Sequence, residues 1–193
     1  MRLVALIIIT TLASYPSFVV GQNHPSGTFK FGEINLLMDK NFISNKDWSE
    51  YIYYQKYIHN TDTNYFVKSL PDTNVWKKEY VNGKIPSFLG VDIKYENAPI
   101  IGLSIYQIID YCEWRKNRLV EKYKKNYACR LPDLDDIKLF VKRQKDTNSF
   151  NVLVLINDEP KIINYNSSTK SMEVTDYHDN IKFFFFCVIE VKN

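Results

Sequence analysis

Residues 181–191 read Ile-Lys-Phe-Phe-Phe-Phe-Cys-Val-Ile-Glu-Val. Successive side chains of an extended chain point to opposite sides. The apolar run from Phe183 to Ile189 therefore places apolar groups on both sides at once. A segment of this kind needs cover on both faces, so the pattern predicts a central, doubly buried final strand. Left at an exposed edge, four consecutive phenylalanines would invite aggregation.

The preceding residues supply the rest of a β-region. The continuous apolar run 152–156 reads as a strand, and Asn157-Asp158-Glu159-Pro160 as a turn. Residues 161–165 read as the returning strand, 166–171 as a polar turn and 172–175 as a short third strand. Helical signals lie earlier. Ser44 with Asp47 three positions on marks a helix start, with Trp48, Tyr51, Ile52 and Ile58 mostly on one face, which predicts a helix over 45–58. Ser104 and Gln107 form a capping-box pair ahead of Ile105, Ile108, Ile109, Cys112, Leu119 and Tyr123, which predicts a helix over 104–122. Asp133 is placed to cap a further helix, with Asp135 and Asp136 in its first turn. These three aspartates lack the glycine turn and alternating oxygens of a calcium loop. Helices followed by a meander predict an α+β fold. Residues 60–99 carry turn signals and no clean period, with Trp76, Tyr80, Phe88 and Tyr95 expected to pin a long loop to the core.

At the other end, Arg2 precedes an apolar run from Leu3 to Ala13, followed by small and short residues to Gly21. That order is the one of a secretory signal peptide over 1–21, with Gln22 as the first mature residue. The apolar run is about half of what a spanning helix needs, and no later stretch is long enough to span a bilayer. The expected product is exported, periplasmic or extracellular, without a membrane span. Residues 22–32 read as a flexible lead-in and 33–193 as one domain.

Composition narrows the functional classes. The chain of 193 residues holds 25 Lys and Arg against 22 Asp and Glu, a balance that points to no nucleic-acid partner. The basic residues Lys116, Arg118, Lys122, Lys124 and Lys125 are interleaved with Glu113 and Glu121 and read as a solvated helix face. His24, His59 and His178 are isolated from one another in sequence. Six glycines offer no P-loop and no dinucleotide fingerprint. The three cysteines, Cys112, Cys129 and Cys187, are too few for a disulfide-built scaffold.

Several segments occur in one order: Pro99-Ile100-Ile101-Gly102-Leu103-Ser104, then Tyr106-Gln107, Tyr111-Cys112-Glu113-Trp114-Arg115, Arg130-Leu131-Pro132-Asp133, and Phe186-Cys187-Val188. Together they resemble the formylglycine-generating enzyme (sulfatase-modifying factor) family, over roughly residues 33 to 193. Leu70-Pro71-Asp72-Thr73-Asn74-Val75-Trp76 resembles a segment of the family's Bacteroidetes branch tied to gliding and protein secretion. The resemblance implies a C-type-lectin-like α+β fold, with helices packed on a small twisted antiparallel sheet. It also implies a disulfide, because the matching cysteines pair in many family members; here those are Cys112 and Cys187. Closing so long a loop would be worth roughly 2–4 kcal/mol. Two buried thiols are the alternative, and Cys129 is left without a partner.

Family enzymes carry their metal-binding segments and reactive cysteine pair between the Arg-Leu-Pro helix and the terminal strand. Between Phe140 and Phe186 this chain has no Gly, no Trp and no Cys. No catalytic, cofactor-binding or metal-binding residue is therefore carried over, and no cofactor is expected. The expectation is a non-catalytic, exported module that binds an unknown protein or glycan of the bacterial envelope or serves it structurally. The alternatives are a divergent oxidase of the same family, a hydrolase on the same scaffold, and a carbohydrate-binding lectin-like module.

Overall fold

The computed structural model describes residues 24–31, 35–72, 74–75, 95–143, 148–178 and 182–192. The expected leader over 1–21 lies outside them, as do Trp76, Tyr80 and Phe88. Four helices and two small antiparallel sheets make the fold α+β among the described residues.

The first sheet contains β1 (Thr28–Phe31), β2 (Leu36–Asp39), β3 (Asn126–Arg130) and β7 (Val188–Lys192). Its strand order is β1-β2-β7-β3. The second is a meander of β4 (Phe150–Ile156), β5 (Glu159–Asn166) and β6 (Ser171–Asp176). Asn157 and Asp158 join β4 to β5 with φ of 51° and 63°. Two successive positive φ values make the tight hairpin turn whose twist suits its strands, and after glycine Asn and Asp tolerate them best.

Helix α1 spans Asn45–Ile58, as its cap predicts: Ser44 Oγ accepts from Asp47 N, and Asp47 Oδ2 accepts from Ser44 N at 2.9 Å. Helix α3 spans Ile105–Tyr123 behind the Ser104–Gln107 box. The Gln107 amide also donates to the carbonyls of Lys68 and Leu70, both at 2.8 Å, so this cap anchors the preceding loop. Helix α4 spans Leu134–Arg143, and Asp133 Oδ1 accepts from the backbone of Asp135 and Asp136. Asp136 turns inward to Arg130, so the three aspartates divide between capping and pairing rather than facing one point.

Three elements depart from the pattern read in sequence. The lead-in contains β1, paired with β2 from Thr28↔Asp39 to Phe31↔Leu36. Phe29 and Thr28 are buried there, which repays ordering that segment. Helix α2 (Thr63–Ser69) lies inside the stretch expected to be irregular, started by Asp62 accepting from Asn64 N. It is held by tertiary contact: Trp48 Nε1 donates to the Ser69 carbonyl at 3.0 Å. Strand β3 occupies residues between two helices where no strand was expected, paired along its length with β7.

The phenylalanine run is doubly buried, but regular pairing begins only at Val188. Ahead of it, residues 183–187 cross between the sheets. Phe184 bridges Val152 in parallel, with its N–H on the Asn151 carbonyl and its carbonyl receiving Leu153 N. The Phe185 carbonyl receives Ile43 N, and the Cys187 carbonyl receives Asp39 N. The backbone demand of this buried stretch is met by several partners rather than one ladder. Alternation is retained. Phe183, Phe185 and Cys187 enter a core with Trp48, Tyr51 and Tyr111 of α1 and α3. Phe186 and Val188 enter a second core with Phe140, Phe150 and Val152 of α4 and the meander. The run is thus a wall shared by two cores.

Phe186 is fully buried and stacks on Phe140 with centroids 4.5 Å apart. Phe186→Ala is expected to destabilise the fold by about 3–5 kcal/mol, read as a lowered urea midpoint; a midpoint like that of the unaltered chain would contradict the shared-wall description.

Candidate functional site

Alternation along the first sheet assigns one face to α3. Leu37 and Asp39 of β2, Cys187 and Ile189 at the start of β7, and Tyr127, Cys129 and Leu131 in and after β3 share it by parity, and the apolar ones pack into the cores that α3 lines. Met38, Val188 and Phe29 take the opposite face with α4. From above, α3 contributes Cys112 and Arg115, which at i and i+3 lie on one side of a helix. The described polar groups on this covered face are therefore few, and they meet.

Asp39 is the anchor. Its carboxylate receives Arg115 Nη1 at 2.7 Å, receives Nη2 of the same guanidinium in a second, parallel bond, and accepts the Cys187 N–H at 2.8 Å. A forked guanidinium–carboxylate pair is the strongest common form of this contact. Both side chains are largely buried. Burial pushes the Asp39 carboxyl upward, and Arg115 together with the Cys187 amide pulls it back. Burial likewise raises the Tyr111 hydroxyl far above its ordinary range.

Beside this pair stand all three cysteines. Cys112 Sγ and Cys187 Sγ are 3.7 Å apart, and the sulfurs of Cys112, Cys129 and Cys187 all lie within 4.8 Å of one another. The pair that the resemblance would join is therefore brought together, but as free thiols. Cys129, expected to stand apart, belongs to the same cluster. It is partly buried, whereas Cys112 and Cys187 are buried. Hydrogen bonding from the Cys112 and Cys187 thiols, aided by the charge of Arg115, holds the Cys129 thiol well below its usual range. Its two neighbours are pushed up: Cys112 by those same sulfur contacts and by burial, Cys187 chiefly by burial.

Cys129 was missed because β3 was missed. Its signal is faint: Tyr127, Cys129 and Leu131 alternate on one face, but the strand is only 5 residues long and follows a lysine-rich helix end. The histidines remain apart from the sulfurs. His59 stacks on Tyr65 at 3.8 Å, and His24 Nδ1 lies 3.5 Å from Thr28 Oγ1. Among the described residues, the three cysteines are the group of His, Cys, Asp or Glu side chains close enough to share an ion. The basic residues of α3 pair locally, Lys116 with Glu113 and Arg118 with Glu121, as a solvated face does.

A separate, open cleft of about 390 Å³ lies between α1, α2 and α3. Tyr54, Tyr65 and Trp114 give it aromatic walls, and Asp110, Glu113 and Asn117 give it a polar rim. Tyr95, from the aromatic loop, is instead a structural contact whose carbonyl receives Asn45 Nδ2 at 2.9 Å.

No family model, no curated protein and no solved structure matches the chain. Among the described residues, no helix is long and apolar enough to cross a membrane.

Removing one partner of a buried pair strands the other charge. Asp39→Ala is expected to cost about 3–5 kcal/mol in chemical denaturation. Asp176→Ala, on the exposed face of β6, should leave the unfolding midpoint in place. Equal midpoints for the two variants would show that the Asp39–Arg115 contact carries no stability.

Proposed function

We propose that this chain is an exported, non-catalytic module with a formylglycine-generating-enzyme-like, C-type-lectin-like scaffold, acting by binding or as a structural part in the bacterial envelope. The reading rests first on the sequence resemblance, in which Ser104–Gln107, Tyr111–Arg115, Arg130–Asp133 and Phe186–Val188 stand in the family's order. The observation that carries the non-catalytic part is the meander. Residues 150–176, where family enzymes place their reactive and metal-binding segments, form three strands with tight turns. One side of β4 and β5 is taken up by Val152, Val154, Ile163 and Tyr165 in the core against α4. On β6, Val174 is exposed, and Asp176 forms an ion pair with Lys161 of β5 at 3.0 Å. On this meander the side chains serve packing and solvated surface.

The open aromatic cleft supports binding as the activity. Its walls suit a stacked planar or sugar face and its rim offers polar partners. A glycan ligand is the second reading, favoured by the pairing of Trp114 and Tyr54, with centroids 6.0 Å apart, beside that rim.

Two measurements test this. The copper-loaded chain, given a cysteine-containing sulfatase peptide, oxygen and a thiol reductant to supply the remaining two electrons, should leave the peptide mass unchanged; conversion of its cysteine to formylglycine over several turnovers would overturn the non-catalytic reading. Expressed in an export-competent bacterium, the protein should be recovered outside the cytoplasm with Gln22 as its first residue; cytoplasmic retention of the full-length chain would overturn the assignment of export.

A further inference from the structure

We propose that Cys112, Cys129 and Cys187 form a trithiolate site for one soft d10 cation, Zn(II) or Cu(I), clamping α3 to β3 and to the chain entering β7. The inference stands independently of the binding role above and uses none of the segments by which family enzymes hold metal.

Convergence is the first support. The chain has three cysteines, each on a different element, and all three meet in one place. Cysteines kept only as small core residues have no reason to gather from a helix, a strand and a connecting segment 75 residues from the first. Distance is the second. Sulfurs bound at ~2.3 Å to one metal lie about 3.8 Å apart in a tetrahedral site and about 4.0 Å apart in a trigonal one. Cys112 and Cys187 stand at 3.7 Å, and no pair in the cluster exceeds 4.8 Å. A disulfide needs ~2.05 Å. Small rotamer adjustments thus bring the three sulfurs to a shared ion, whereas a disulfide requires two of them to close by well over an ångström.

The surroundings fit the same occupant. Thiolates select soft cations such as Cu(I) and Zn(II) over hard ones. Each thiol that ligates releases its proton to solvent, leaving a negative centre. Arg115 lies on that side, its charge acting on Cys129 and Cys187. Arg115 is held in turn by Asp39, and Asp39 also receives the Cys187 N–H. Such outer contacts orient ligands in established metal sites. Cys129, the partly exposed member, gives the ion a way in, and Zn(II) held by three protein ligands takes water as its fourth.

The test uses the full mature chain, reduced and freed of reductant without oxygen. Zn(II), Cu(I) and, as an optical probe, Cd(II) are titrated separately, with a competing chelator to report affinity. One equivalent should bind, with a thiolate-to-cadmium absorption band that loses roughly a third of its intensity in Cys129→Ser. Affinity should fall at least tenfold in that variant. On the unaltered chain, which needs no variant to fold, bound metal should slow iodoacetamide labelling of Cys129 more than tenfold. Zn(II) binding that outcompetes the chelator where Cu(I) does not, or the reverse, identifies the occupant within the proposal. Unchanged affinity in Cys129→Ser, labelling indifferent to metal, or less than half an equivalent bound would overturn it. So would a native protein isolated with a complete Cys112–Cys187 disulfide that resists mild reduction. Failure here leaves the peptide-oxidation and export results untouched.

Discussion

A single buried carboxylate joins the elements that surround the cysteines. Asp39 ends β2, takes the guanidinium of α3 in a fork, and takes the backbone N–H at the entry to β7. The helix and the two inner strands are thereby held in one register. Hydrophobic burial alone would tolerate sliding of α3 along the sheet, since Leu119, Ile108 and Tyr111 offer an apolar stripe of similar character along its length. The ion pair tolerates little sliding, because a displaced partner leaves a charge unpaired in the interior. The position of Cys112 over Cys129 and Cys187 follows from that constraint, one helical turn before Arg115.

Much of the architecture was legible in the sequence, for identifiable reasons. Helices α1 and α3 announced themselves through Ser44–Asp47 and Ser104–Gln107, because a cap is a local device whose residues lie three apart. The hairpin at Asn157-Asp158 is local in the same sense. The double burial of 183–189 followed from an uninterrupted apolar run. What escaped was structure held by distant partners. Strand β1 is short and depends on β2; β3 depends on β7; α2 depends on Trp48 and Gln107. The central run reads as one strand because its apolarity persists across the point where its partners change from Asn151 and Leu153 to Asp39.

The candidate site was half legible. Cys112 and Cys187 were linked through a resemblance, and the structure places them side by side. Cys129 stood apart because the alternation around it is short and faint. Its role depends on a register, Cys129↔Ile189, that only the folded sheet defines. The Asp39–Arg115 pair was invisible for the same reason, being separated by 76 positions in the chain.

Strand β7 lies between β2 and β3, and the residues just before it wall off both cores. These residues follow every other described element in chain order. Neither core has its dividing wall, and β2 and β3 have no common neighbour, until that stretch has been synthesised and inserted. Without it the first sheet lacks an inner strand and neither core is closed, and contacts of such long sequence separation form slowly. Closure of the two cores is thereby tied to the insertion of one short stretch of chain.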